Sequence, residues 1–501
     1  MNLENFNENW KVELPKFDIP AMREHTKNAP TWLHVGAGNL LRGFIAPYQQ
    51  NLLESGDTST GIIVYEPFDS EIIPAVFAPH DNLTLAVTLN ADGTTKKRVI
   101  ASIADAFSCD LERLAQVIAN PSLQLISLTI TEKGYIVSPE TVCKDPTTAS
   151  TALEQIVLGL FSRFESGVMP PALVSMDNFA DNGAVLYAAI STIADAWLNA
   201  TTVDDGFTEY IKSIKCPCTM VDKITPRPSQ SVAKSLAAEG FEYTKITMTT
   251  RGTFVAPFVN AEETGYLIIE DDFPLGRPPL DKAGVHLTDR ETVSRAERMK
   301  ICACLNPLHT ILAISGMLLG YPSISKCMGD QRLVKLIRTA GAEAMTVVPH
   351  PGIIDPVKFL NEAITQRFPN PFIPDTPARI ATDTSQKIPV RFGVTLRARA
   401  DKGTTDLSAI PFFIALWLRY RMGIDDSGIK INLSPDPELP AALNILYGLP
   451  FGKSIDLRPI LSDENLFGVD LYEMGLGKKI EKYFAKLSLG EKSVSNELTF
   501  F

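Results

Sequence analysis

The sequence predicts an α/β protein in which a doubly wound, mostly parallel sheet domain is followed by a mostly α-helical domain. Three observations carry this reading. From about residue 31 to 200, short β-prone runs alternate with helical patterns, the signature of parallel strands joined by crossover helices. The first such unit has glycines at its strand-to-helix turn. Beyond about residue 290, apolar residues recur at helical spacing and strand signals almost vanish. The Pro- and Gly-rich segment Asp271 to Leu280 separates the two patterns, so the expected domains are 1–280 and 281–501.

The elements follow in order. Residues 1–29 read as an irregular leader with helical potential. Thr31 to Val35 is a β-prone run, followed by Gly36-Ala37-Gly38-Asn39-Leu40-Leu41-Arg42 and a helical pattern that ends at Gly56. Gly61 to Tyr65 reads as a buried strand ending in Glu66. Strand, glycine turn, helix, strand and acidic residue is the order of a dinucleotide-binding unit. Gly36 permits a tight turn, Gly38 lets backbone approach a pyrophosphate, and the helix start offers free N–H groups. Glu66, 28 residues after Gly38, and Asp69 are candidates for a ribose diol. The third glycine of the usual fingerprint falls at Leu41.

Leu83 to Leu89 and Arg98 to Ala101 suggest a hairpin, and Leu123 to Ile130 a buried strand. The strand runs into Thr131-Glu132-Lys133-Gly134-Tyr135, a loop at a carboxyl end, where open α/β sheets bind ligands. A helical pattern over 150–166 precedes strand Ala172 to Met176, which ends in Asp177-Asn178, and another helix covers 184–199. Three prolines make 216–230 read as a stiff loop containing Asp222. Later helical patterns lie at 291–320, 330–345, 356–367, 406–422, 438–448 and 474–487.

Composition narrows the class. Apolar residues make up 45% and charged residues 21% of 501, and the net charge of −11 argues against a general nucleic-acid binder. Seven scattered cysteines do not form a disulfide framework, and their two C-x-C pairs lack the usual zinc spacing, so no metal is expected. The polar N-terminus has no apolar signal core. The longest apolar run, Thr310 to Tyr321, is shorter than a bilayer span. The expected protein is cytoplasmic, a monomer or small homo-oligomer, with neither nucleic-acid nor membrane partners.

The chemistry-bearing stretch is Lys300-Ile-Cys-Ala-Cys-Leu-Asn306-Pro-Leu-His309. A lysine in an apolar pocket loses solvation of its charged form and becomes able to exchange protons near neutrality. Asn306 and His309 stand three residues apart on one helical face.

With these residues in place, the chain resembles the polyol-specific long-chain dehydrogenase family. The resemblance rests on His34-Val-Gly-Ala-Gly38 with Arg42, Leu128-Thr-Ile-Thr-Glu-Lys-Gly-Tyr135, Ser175-Met-Asp-Asn178 with Asn182-Gly183, and Thr219-Met-Val-Asp222-Lys-Ile-Thr-Pro226. It continues through Lys300, Leu305-Asn306 and His309 to Asp383-Thr-Ser-Gln-Lys387-Ile-Pro389. It implies a zinc-free transfer of hydride between NAD and C2 of a sugar alcohol or sugar acid. Lys300 is then the acid–base, Asn178 and Asn306 donate to the substrate oxygen, and His309 orients hydroxyls. Arg379 and Lys387 contact substrate, while Asp222 supports the lysine or the substrate loop. Gly36, Ala37, Gly38, Asn39, Leu40, Arg42, Glu66, Asp69, Thr131 and Glu132 form the cofactor set.

One departure is physical. The six-residue step from Lys300 to Asn306 is one longer than the family's. A regular helix advances about 100° per residue, so it would swing the lysine away. A kink or one-residue bulge before Pro307 would restore the alignment. The wording around Lys387 favours a hexuronate, with D-fructuronate and D-mannonate as the expected pair. D-mannitol and D-fructose are the alternative, and a non-catalytic NAD-binding regulator is the alternative of another class.

Overall fold

A computed structural model describes all residues except 2, 4, 5 and 7–9. Part of the expected leader falls on those positions. Beyond it, Ile19–Asn28 is a helix capped by the Asp18 side chain, which accepts the Ala21 N–H at 2.9 Å. The chain forms two compact units. One is Met1–Asn90 with Thr94–Ser294, and the other is Arg295–Phe501 with the Ala91–Gly93 turn.

The first unit is built on a five-stranded, fully parallel sheet. Its strands are β1 (Trp32–Val35), β2 (Ile62–Glu66), β3 (Ile103–Ser108), β4 (Leu125–Leu128) and β5 (Ala172–Ser175), in the order β3-β2-β1-β4-β5. Trp32 to Val35 pairs in register with Ile62 to Tyr65 on one side and Leu125 to Leu128 on the other. The strand order therefore reverses beside β1, and ligands bind at such a switch point. All residues of β1, β2, β4 and β5 are buried, as continuous apolar runs in a sheet covered on both faces require. One face packs on helices α2 (Leu111–Ala119), α3 (Ala152–Glu165) and α4 (Asn182–Asn199), and the other on α1 (Ala46–Ser55).

The expected hairpin is present as Thr84–Leu89 against Thr95–Ile100, and it belongs to a separate four-stranded sheet. The stiff-loop expectation for 216–230 needs correction. Thr219–Asp222 is a buried strand, β6, antiparallel to β7 (Tyr266–Glu270). The three prolines lie outside its four residues, so its ladder is intact. Strand β8 (His286–Thr288) then pairs with β7.

The second unit is helical. Its core gathers α6 (Asn306–Leu319), α7 (Gln331–Met345) and α9 (Ala409–Tyr420), with every residue of α9 buried. The buried Glu343 of α7 sits at the start of α9 and accepts the N–H groups of Ser408, Ala409 and Ile410 at 2.5, 2.7 and 2.9 Å. An anion there satisfies orphan donors and complements the helix dipole. The segment 438–448 forms 3₁₀ turns over Ala441–Leu446 rather than an α-helix, bounded by Pro440 and Gly448.

The chain is helical from Arg290 to Leu319, starting with α5 (Arg290–Met299). By length and composition alone this stretch is long and apolar enough to cross a membrane. Yet 78% of its apolar window is buried within the protein, the character of a core helix.

Candidate active site

The first unit supplies a nucleotide-shaped edge. Gly36 leaves β1 at φ +109°, and its N–H bonds to Tyr65 O at 2.8 Å. A side chain at Gly36 would meet Thr129 O at 2.4 Å, so the turn needs glycine both for its φ and for its closeness to the β4 loop. A Cβ at Gly38 would meet nothing within 4 Å. That open space lies at the end of β1, just before the helix that begins at Asn39. A backbone approach to a pyrophosphate needs such a gap.

Glu66 braces the same turn. Its carboxylate accepts the Ala37 N–H at 2.7 Å and the Phe68 and Asp69 N–H groups at 2.9 Å each. Three of about four acceptor sites are taken, which leaves one for a ligand. Asp69 is buried and accepts from Thr249 Oγ1 at 2.6 Å. It is not presented to a ribose, which corrects that expectation. Arg42 is also corrected from ligand contact to support. It is fully buried, donating to Ala256 O at 2.8 Å and to Asn39 Oδ1 at 2.9 Å. Burial lowers its pKa to about 10. Leu40 is half-buried in the first helical turn.

Thr131 and Glu132 stand exposed after β4, and Thr131 has φ +64°. Such a conformation costs a threonine about 1–3 kcal/mol, and strain of this kind clusters at ligand sites. Below it, Asp177 Oδ2 accepts the Ile130 N–H at 2.9 Å and the Tyr135 hydroxyl at 2.8 Å, tying the β4 and β5 loops together. Burial pushes the Asp177 carboxyl up, while these hydrogen bonds pull it down. Asn182 Nδ2 holds Asp177 O at 3.0 Å and Thr219 Oγ1 at 2.8 Å. Asn178 is exposed at the end of this braced loop. Asp222 is buried at the end of β6.

The second unit carries the proton-transfer stretch. Lys300 is 2% exposed and opens a π-helical turn, Lys300–Cys304, closed by Leu305 N–H to Lys300 O at 3.2 Å. The expected bulge is therefore present. A π turn takes one more residue than an α turn. The six-residue step to Asn306 keeps the rotation that five would give in a regular helix. Pro307 has no N–H to offer the Ala303 carbonyl, so the α ladder is interrupted there. The Thr395 hydroxyl instead donates to Cys302 O at 3.2 Å, and the Cys302 thiol reaches Val390 O at 3.3 Å.

Asn306 is the first residue of α6, with Leu305 in the capping position. Its carboxamide makes no hydrogen bond among the described residues, while its carbonyl accepts from Thr310 Oγ1 at 2.9 Å and Arg391 Nη1 at 3.3 Å. His309 Nε2 lies 3.3 Å from Asp375 Oδ2, at ion-pair range but without hydrogen-bond alignment. Burial pushes the imidazole down and Asp375 opposes it. Its ring packs on Phe368, with centroids 5.4 Å apart.

Arg379 and Lys387 lie on separate short helices, Pro377–Ile380 and α8 (Thr384–Ile388). Arg379 is exposed and pairs with Asp375. The Lys387 amine is held by the carbonyls of Ile380, at 3.0 Å, and Thr382, and burial lowers its pKa. Asp375 and Arg391 escaped the sequence reading. Arg391 was findable, because it follows Lys387 by four residues and so shares its helical face. Asp375 left no signal, since only the fold brings it to His309. Among the described residues no group of three or more His, Cys, Asp or Glu is placed to hold a metal.

Comparison with known proteins places the chain in a class. Residues 30–282 match the mannitol dehydrogenase Rossmann domain and residues 292–486 the mannitol dehydrogenase C-terminal domain. The chain belongs to the mannitol dehydrogenase family of oxidoreductases. Among particular relatives, it is 47% identical to a D-mannonate oxidoreductase of Thermotoga maritima, over 97% of this chain and 95% of that one. It is 28% identical to a mannitol 2-dehydrogenase of Cereibacter sphaeroides, over 84% and 86% of the two chains. The fold matches a D-sorbitol dehydrogenase in substrate-free form, with a TM-score of 0.81 and 25% identity over 97% of each chain. It also matches a Pseudomonas fluorescens mannitol 2-dehydrogenase in ternary complex with NAD and D-mannitol, with a TM-score of 0.67 and 25% identity over 98% and 96%.

Proposed function

We propose that the protein is an NAD-dependent oxidoreductase of a sugar acid, interconverting D-mannonate and D-fructuronate in the cytoplasm. The observation that carries this reading is the 47% identity to a D-mannonate oxidoreductase along nearly the whole chain. The π turn that carries the buried Lys300 before Asn306 and His309 supports it. The open space at Gly38, the helix start at Asn39 and the braced Glu66 fit a dinucleotide. Gly36, Ala37, Gly38, Asn39, Leu40, Thr131 and Glu132 would hold NAD, with Arg42 as a support. Its nicotinamide supplies or accepts the hydride at the reacting carbon. The remaining acceptor site of Glu66 suits a ribose hydroxyl and would repel a 2′-phosphate. All seven cysteines are free thiols, which suits a reducing compartment.

Lys300 takes the hydroxyl proton as the alcohol is oxidised and returns it to the alkoxide oxygen as the ketone is reduced. The carboxamides of Asn306 and Asn178 donate to the oxygen on which negative charge develops. His309, neutral and held by Asp375 and Phe368, orients a neighbouring hydroxyl. Asp222, Arg379 and Lys387 complete the proposed substrate set, Lys387 by fixing the turn before α8.

NADH oxidation with a panel of keto-uronates and ketoses tests the reading. Turnover of D-fructuronate that exceeds that of D-fructose, and that disappears in Lys300→Ala, is expected. Turnover of D-fructose alone would move the assignment to D-mannitol and D-fructose, the pair suggested by the 28% identical relative. Tight NADH binding without any turnover would make the protein a non-catalytic regulator.

A further inference from the structure

We propose that Arg391 binds the carboxylate of the substrate and makes the site select a sugar acid over a neutral sugar. The inference deepens the proposed function and rests on it. Arg391 lies in a second π turn, Pro389–Gly393, which packs against the turn carrying Lys300. One edge of its guanidinium is fixed: Nη1 donates to Thr310 Oγ1 at 2.6 Å and to Asn306 O at 3.3 Å. These contacts hold it against the first turn of α6, on the face that carries Asn306 and His309. The other edge, Nε and Nη2, makes no hydrogen bond among the described residues.

Among the described residues no carboxylate forms an ion pair with this cation. Burial alone lowers its pKa, to about 10, with no acidic neighbour acting in the opposite direction. The buried Arg163 and Arg419 have their charge dispersed over backbone carbonyls. Arg419, for example, donates to Leu487, Ile424 and Asp425 carbonyls at 3.1, 2.7 and 2.9 Å. The neighbouring cations are Lys387 and Arg379; Asp383 and Asp436 act on Lys387, and Asp375 lies beside His309 and Arg379. Asp375 is already engaged by His309 and Arg379. The two cations that the resemblance assigns to substrate contact already have partners, Arg379 in Asp375 and Lys387 in main-chain carbonyls. A planar fork with one edge anchored and one edge open has the geometry for bidentate binding of a carboxylate. A polyol brings no charge to compensate it.

The test compares wild type with Arg391→Gln and Arg391→Lys. Calorimetry with D-mannonate and D-mannitol, each in the presence of NADH, reads binding without turnover. Steady-state kinetics with D-fructuronate and D-fructose reads selectivity. In Arg391→Gln, D-mannonate affinity and the D-fructuronate to D-fructose ratio of kcat/KM should fall on the order of 100-fold, mostly through KM. Arg391→Lys, which keeps the charge but not the fork, should fall between. Equal losses for the acid and the neutral sugar, or an unchanged ratio, would overturn the proposal, as would wild-type protein that binds no D-mannonate. Wild-type protein that binds D-mannonate through Arg391 but turns over neither ketone would instead overturn the proposed function and leave the carboxylate site standing.

Discussion

Lys300 and Asn306 contribute in different ways, and their variants separate the roles. Lys300 moves a proton, so Lys300→Ala should lower kcat by about 10²–10⁴-fold with NADH affinity retained. Titration of NADH by fluorescence, beside turnover, checks both halves of that expectation. Asn306 stabilises charge only as it develops, so Asn306→Ala should lower kcat by about 10²–10³-fold with little change in KM. Its carboxamide makes no hydrogen bond among the described residues, so its removal leaves no broken pair, and the melting temperature should hold. His309 differs again, because its environment keeps it neutral. The sequence placed it on the right helical face, but Asp375, 66 positions later, came only from the fold.

At the scale of the element, the π turn at Lys300–Cys304 decides how the lysine is aimed. It leaves main-chain carbonyls without regular helical donors, and the Thr395 hydroxyl serves one of them, at Cys302. Thr395→Val removes that donor from a buried site. It should cost about 1–3 kcal/mol of stability, measured by denaturant unfolding, and should reduce kcat more than NADH affinity. Unchanged kcat in this variant would show that the π turn holds the lysine without Thr395. The length of the Lys300-to-Asn306 step made an irregular turn legible in the sequence. Its supports were not legible, because Thr395 and Val390 reach it across the helical packing of the second unit.

For the whole molecule, pH stability is set partly inside the central sheet. His34 on β1 is fully buried between Ser127 Oγ, at 2.6 Å, and Thr129 Oγ1, at 3.0 Å, and burial lowers its pKa to about 3. The unfolded chain binds a proton near pH 6.5, where the folded one does not. The neutral ring's contribution is therefore whole above about 6.5 and is lost as pH falls toward 3, by about 1.4 kcal/mol per unit. His80, lowered to about 4, acts in the same direction. Replacing the ring by a group that does not titrate, as in His34→Gln, should flatten the stability profile between pH 6 and 4. Urea unfolding at a series of pH values measures this. A profile parallel to wild type would show that His34 does not control acid unfolding.

The sequence by itself determined the order of the elements and the two halves of the fold. Hydrophobic period and turn residues act locally, so β1, the Gly36 turn and the helices around Lys300 were readable from their own segments. The sequence also supplied Lys300, Asn306 and His309 as a set, because helical spacing alone puts the last two on one face. It misread Thr219–Asp222 as loop, since a strand of four residues flanked by prolines gains its stability from pairing with Tyr266–Glu270. Tertiary structure alone decided which charges are free. Arg42, Asp69, Arg379 and Lys387 look available in a string of letters. The folded chain engages each of them, Arg42 with Ala256 O, Asp69 with Thr249, Arg379 with Asp375 and Lys387 with the Ile380 and Thr382 carbonyls, and leaves an open edge on Arg391. A charge keeps its binding capacity only where the fold leaves it without a partner, and partners far along the chain cannot be read from local pattern.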